Sequence, residues 1–150
     1  MTTSMEDLLQ TVALGPVSAG IYAALNVPRL TSLATGGIWT DVPQGATYPA
    51  VLFDVTETQQ LGGFGTKPGV GMLPEIALRI HVYSQYAGFD EAHRILSVVK
   101  SLLADAPDVD GWSSWAIFWD DVIPLADEVV AGVKVKELVA NARLFVEAQS

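Results

Sequence analysis

From Pro74 to Tyr83 the chain alternates apolar and polar residues. Ile76, Leu78, Ile80 and Val82 point one way, and Glu75, Arg79 and His81 point the other. That period of two predicts a strand buried on one face. After Gly88 the period changes. Ala92, Ile95, Leu96, Val99, Leu102 and Leu103 recur at helical spacing, with His93, Arg94, Lys100 and Asp105 between them. Asp90 is placed to cap this helix, and Pro107 helps to stop it. One strand face and one helical stripe joined by a short turn, Leu73 to Asp105, can close on each other as a two-layer core.

The rest of the chain supplies weaker patterns. Thr3 or Ser4 can cap a first helix, with Glu6 and Asp7 suited to its positive end. Met5, Leu8, Leu9 and Val12 form a narrow stripe. Gly15-Pro16 interrupts it, and Val17 to Leu25 continues with Ile21, Ala24 and Leu25 on one side. One kinked helix and two separate helices fit equally well. A short helical turn is expected from Pro28 to Leu33, and a brief strand at Ile38-Trp39. Asp41-Val42-Pro43-Gln44-Gly45 is turn chemistry. Ala50 to Glu57 reads as a strand with Val51, Phe53 and Val55 on one face. Thr58 to Met72, dominated by glycine, reads as a long loop between two antiparallel strands, a feature that is often functional.

Beyond the helix, Trp112 to Leu125 reads as one strand. Trp115, Ile117 and Trp119 would share one face, and Ala116, Phe118 and Val122 the other. Pro124 suggests an edge or an end. In the last strand Leu138, Ala140, Ala142, Leu144 and Val146 alternate against Asn141, Arg143 and Glu147. Val133 and Val135 have the opposite phase, which predicts a bulge or turn near Lys136-Glu137. The expected fold class is α+β: an antiparallel sheet of about four strands, one long helix packed on a face and an N-terminal helical segment. With no repeat and no linker, residues 1–150 are expected to form one domain.

Composition narrows the function. Half of the 150 residues are hydrophobic, enough for a sizeable core, and there is no cysteine. Disulfides and thiolate metal sites are excluded. Eight basic against 17 acidic residues give a net charge of −9. That balance disfavours sequence-specific nucleic-acid binding, which relies on basic surfaces. No apolar run approaches the ~18 residues of a membrane span, and the start lacks the basic and apolar regions of a signal peptide. The expectation is a soluble domain made inside the cell, with no membrane partner.

Candidate chemistry is sparse. The glycine-rich stretch is followed by a strand and not by a helix N-terminus, and Lys67 precedes Pro68, so it lacks the parts of a phosphate loop. His81 and His93 are not spaced as a helical metal pair. No Gly-x-Ser-x-Gly elbow occurs. Asp120-Asp121 and Asp108/Asp110 resemble fragments of a cation site, but adjacent strand residues face opposite sides, so Asp120 and Asp121 should not converge. No catalytic, cofactor-binding or metal residue is assigned, and no cofactor is expected. A small hydrolase or ligand-binding domain would require His81, His93 or Asp120 to meet a second polar group in a concave site. Trp115 and Trp119 invite a different reading. Large residues on both strand faces imply that something covers the second face: either the N-terminal helix or another subunit.

The order of features resembles one family. Val42-Pro43-Gln44-Gly45-Ala46-Thr47-Tyr48-Pro49 leads into the strand Ala50 to Phe53. After the glycine-rich gap, Leu78-Arg79-Ile80-His81-Val82-Tyr83-Ser84 runs through a turn into Glu91-Ala92 and a helix ending at Leu102-Leu103. This is similar to the tail-terminator (tail-completion) proteins of long-tailed bacteriophages. The resemblance implies a non-enzymatic virion assembly protein. It would form a homo-oligomeric ring, typically a hexamer, on the head-proximal end of the tail tube. There it would stop polymerisation and offer a surface for the head-completion or neck protein. Its partners would be sister copies, the major tail-tube protein and that neck protein. Its place would be the virion tail, after assembly in the host cytoplasm. Another neck or head–tail joining role is the alternative. Interface contacts are expected at Gly62, Gly63, Phe64, Lys67, Trp115 and Trp119.

Overall fold

The computed structural model describes residues 5–61, 73–105, 107–109, 111–114, 117–125, 127–130 and 133–148. In chain order these form α1 (Met5–Leu25), α2 (Pro28–Thr31), β1 (Ile38–Trp39), β2 (Ala50–Leu61), β3 (Leu73–Ser84), α3 (Asp90–Leu102), β4 (Trp112–Ser114), β5 (Phe118–Pro124), β6 (Glu128–Val130) and β7 (Val133–Ala148). The fold is α+β, as the periodicities predict. The strand and helix of the Leu73–Asp105 unit are both present.

The sheet runs β1-β2-β3-β7, with β4, β5 and β6 all paired to β7. β2, β3, β5 and β7 are the four expected antiparallel strands, and three short strands extend them. β1 adds a parallel pair, Ile38 with Val51 and Trp39 with Leu52. β2 and β3 stay paired out to Leu61 and Leu73, so Thr58 to Leu61 belong to a strand and not to the expected loop. Gly62 to Met72 lie outside the described residues.

The stretch from Trp112 to Leu125 is not one strand. It follows β7 in pieces: β4 pairs with Val146–Ala148, and β5 pairs with residues 138–143. The Leu125 amide then donates to the Glu137 carbonyl at 2.9 Å, and β6 closes a hairpin with Val133–Val135. A register shift between Trp119 and Val122 puts Asp120 and Asp121 in a bulge. β7 itself runs from Val133 to Ala148 in one piece, and its pairing with β3 carries no register shift across Lys136-Glu137. The expected bulge there is absent. The change of phase arises because the start of β7 buries its other face, through Val135 and Glu137.

Two helices cover one face of the sheet. α1 is a single helix that passes through Pro16, which settles the choice between one helix and two. Its Val17, Ile21 and Leu25 join Phe53 of β2, Ile76, Leu78, Ile80 and Val82 of β3, Ile95, Leu96 and Val99 of α3, and Leu138 and Leu144 of β7 in one core cluster. α1 therefore lies on the same face as α3 and leaves the second face uncovered by either helix. Each fully buried aliphatic side chain contributes roughly 1.5–3 kcal/mol from burial. Asp90 begins α3 and does not cap it: Phe89 is the N-cap residue, and Asp90 and Glu91 occupy the first turn, where they favour the helix dipole. Close approach fixes two glycines. A Cβ on Gly20 would meet the Asp108 carbonyl, and one on Gly36 the Thr47 carbonyl. None of the described helices is long and apolar enough to cross a membrane.

Candidate functional site

The uncovered face of the sheet carries the chain's polar chemistry. Strand alternation places Asp54 of β2, Arg79 and His81 of β3, and Glu137, Asn141 and Arg143 of β7 on it, because their neighbours in sequence fill the core. His81 sits at its centre. Its Nδ1 lies 2.6 Å from Oε1 of Glu137, and its Nε2 lies 3.3 Å from Oδ2 of Asp54. The imidazole thus ties three adjacent strands together. His81 and Glu137 side chains are only 16% and 11% exposed, whereas Asp54 is 44% exposed, so the Glu137 contact is the better shielded from solvent.

A second polar row crosses the same face. Arg79 Nε donates to Oδ1 of Asn141 at 3.3 Å, and Asn141 Nδ2 donates to Oδ1 of Asp121 at 3.0 Å. Arg143 reaches both carboxylate oxygens of Asp120, at 3.2 and 3.3 Å. Asp120 and Asp121 therefore turn to the same side, against the expectation from strict alternation. The bulge supplies the reason: two residues of β5 oppose one of β7, which resets the phase. It also puts Trp119 and Val122 together on the core side, while Phe118 stays outside against Phe145. Asp54, Arg79, Asp120, Asn141 and Arg143 line an open depression of ≈ 370 Å³.

Beside His81 the face turns aromatic. Tyr83 stacks parallel to the imidazole at 6.2 Å and lies 6.3 Å from both Trp39 and Tyr48. At the far end of β7, Asp127 accepts from Lys136 at 2.7 Å and pairs with Lys134 at 2.9 Å. Hydrogen bonds from Lys136 and then Lys134 hold its carboxyl below the usual carboxylate range.

This arrangement suits binding better than catalysis. Both ring nitrogens of His81 face carboxylates, so neither is offered to a hydroxyl nucleophile. His93 is exposed on α3, in the helical layer, away from His81 and Asp120. His81 and Asp120 each meet a second polar group, and Asp120 lines the open depression, so the juxtaposition expected of a ligand-binding site is met in part on the sheet face, without His93. Among the described residues, no group of three or more His, Asp or Glu side chains is arranged to hold a metal ion.

Of the expected interface residues, Gly62, Gly63, Phe64, Lys67 and Trp115 lie outside the described residues. Trp119 is half-buried against the core, with Lys100 Nζ 5.2 Å from its ring centroid. What sequence reasoning missed is the exposed apolar set Ile123, Leu125 and Val129 along β5 and β6. Pro124, read as an edge signal, was the hint to it.

A protein-family model, Tail completion protein gp17, matches residues 19–143, from α1 into β7. Among solved structures, a chain from the virion of a native gene transfer agent particle superposes with a TM-score of 0.67 at 19% identity, covering 91% of this chain and 98% of that one. That likeness supports the fold. No curated protein matches. The family match spans both helical layer and sheet, and on that ground the chain belongs to the tail completion protein gp17 family of structural bacteriophage tail proteins.

Proposed function

We propose that this protein is a ring-forming tail terminator. It caps the tail tube, stops its polymerisation and presents the surface to which the head-completion protein joins. The family match over residues 19–143 carries the reading. The likeness to a chain of a virion particle and the uncovered, hydrogen-bonded sheet face fit with it. The ring, typically of six copies in such proteins, assembles in the host cytoplasm and remains in the virion tail. The protein acts by contact and not by catalysis. The stretch with Gly62, Gly63, Phe64 and Lys67, together with Trp115 and Trp119, meets neighbouring subunits.

Polymerisation of the cognate tail-tube protein, with and without this protein, tests the reading. Added protein should shorten the tubes and narrow their length distribution. An unchanged distribution at saturating protein would overturn it.

A further inference from the structure

Among the described residues four of the exposed large hydrophobics fall together, while Tyr86, 55% exposed, lies apart in the turn after β3. Phe118, Ile123, Leu125 and Val129 lie on β5, β6 and the link between them, with Val129 72% exposed. Tyr22 lies on α1, which packs against β2, and Val42 lies in the turn three residues after the end of β1. These are opposite margins of one sheet, whose order places β1 and β2 at one side and β5 and β6 at the other. Both margins also end in open strand edges. β1 covers β2 only at Val51 and Leu52, so the β2 edge beyond Leu52 has no strand beside it among the described residues. β5 and β6 pair with β7 alone. An open edge presents unpaired N–H and C=O groups that another strand can satisfy.

We propose that the two margins are the complementary halves of one head-to-tail contact between copies of this chain. The β5–β6 margin of one copy meets the α1–β1–β2 margin of the next. This rests on the ring reading above and names its contact surfaces. Two different surfaces at opposite sides of a protomer are what a heterologous contact needs, and such a contact closes into a ring when its rotation allows. The chain's charge of −9 would oppose self-association. At the β5–β6 margin, however, two of the acids are ion-paired within the copy, Asp120 with Arg143 and Asp127 with Lys134 and Lys136, and Asp121 accepts a hydrogen bond from Asn141. That leaves an apolar edge whose charge is partly neutralised within the copy as the place where like-charged copies can approach.

The test uses Val129→Asp and Val42→Asp, both at exposed positions, with circular dichroism to verify native folding. Light scattering over a concentration series reads assembly. Each variant alone should need more than roughly tenfold higher concentration to associate, because a charge is placed in an apolar contact. Mixed together, the two variants retain one intact margin each and should form a dimer and nothing larger. Variants that assemble like the parent protein, or a mixture that stays monomeric, would overturn the proposed margins while leaving the ring intact. A parent protein that stays monomeric at every concentration and on tube ends would overturn the ring itself, and the margins with it.

Discussion

His81 and Glu137 face each other across β3 and β7 with 2.6 Å between Nδ1 and Oε1. The carboxylate is only 11% exposed, so its hydration has largely been exchanged for this contact. Truncating the imidazole in His81→Leu leaves that carboxylate without its ring partner. A loss of about 1–3 kcal/mol is expected, the range for a buried polar group left unsatisfied. Glu137→Gln keeps a hydrogen-bonding group and should cost less. Urea unfolding of both variants checks the order.

Gly36 bounds the entry to β1. A Cβ there would run into the Thr47 carbonyl, which is backbone and cannot swing away. Gly36→Ala should therefore be strongly destabilised, beyond the about 1 kcal/mol typical of point changes. Gly45→Ala is the informative comparison. Gly45 has open space but φ of 72°, so its cost should be smaller and confined to backbone strain. Thermal melts of the two variants separate clash from strain.

Phe53 is 1% exposed and belongs to the core cluster that joins β2 to both helices. Phe53→Ala should cost about 3–5 kcal/mol, whereas Val129→Ser, at a highly exposed position, should stay within about 0.5 kcal/mol. Similar losses for both would contradict the placement of the core. Chemical denaturation measures each.

Asp127 gives the pH dependence. Hydrogen bonds from Lys136 and then Lys134 hold its folded carboxyl below the ordinary aspartate value. A depressed carboxylate adds stability that is fully present above the unfolded value. It is lost as pH falls through the folded one. The β6–β7 hairpin should thus be insensitive to pH near neutrality and loosen below about pH 3.8. Added salt should weaken the same staple. Amide exchange of Glu128–Val135 along an acid titration reads this directly, and Asp127→Asn should abolish the step.

Much of this fold was legible because its main elements obey simple periods. Ile76, Leu78, Ile80 and Val82 are all buried, as are Ile95, Leu96 and Val99. Each pattern describes an element whose opposite sides meet different environments. Illegible were the departures from strict period. Asp120 and Asp121 share a side because the bulge inserts a residue, and no local signal marks that insertion. Val135 and Glu137 are buried although they stand on the polar phase of β7. The breaks that divide Trp112–Val130 into β4, β5 and β6 follow from tertiary pairing with β7. The polar face itself could be read from alternation. Its pairings could not, since the Asp54–His81–Glu137 row spans three strands distant in sequence.

Electron microscopy of preformed tail tubes incubated with the purified protein addresses the central claim most directly. The account predicts a ring of density at a single end of each tube, the end from which growth has stopped. Decoration along the tube wall, or tube ends indistinguishable from those without the protein, would contradict it.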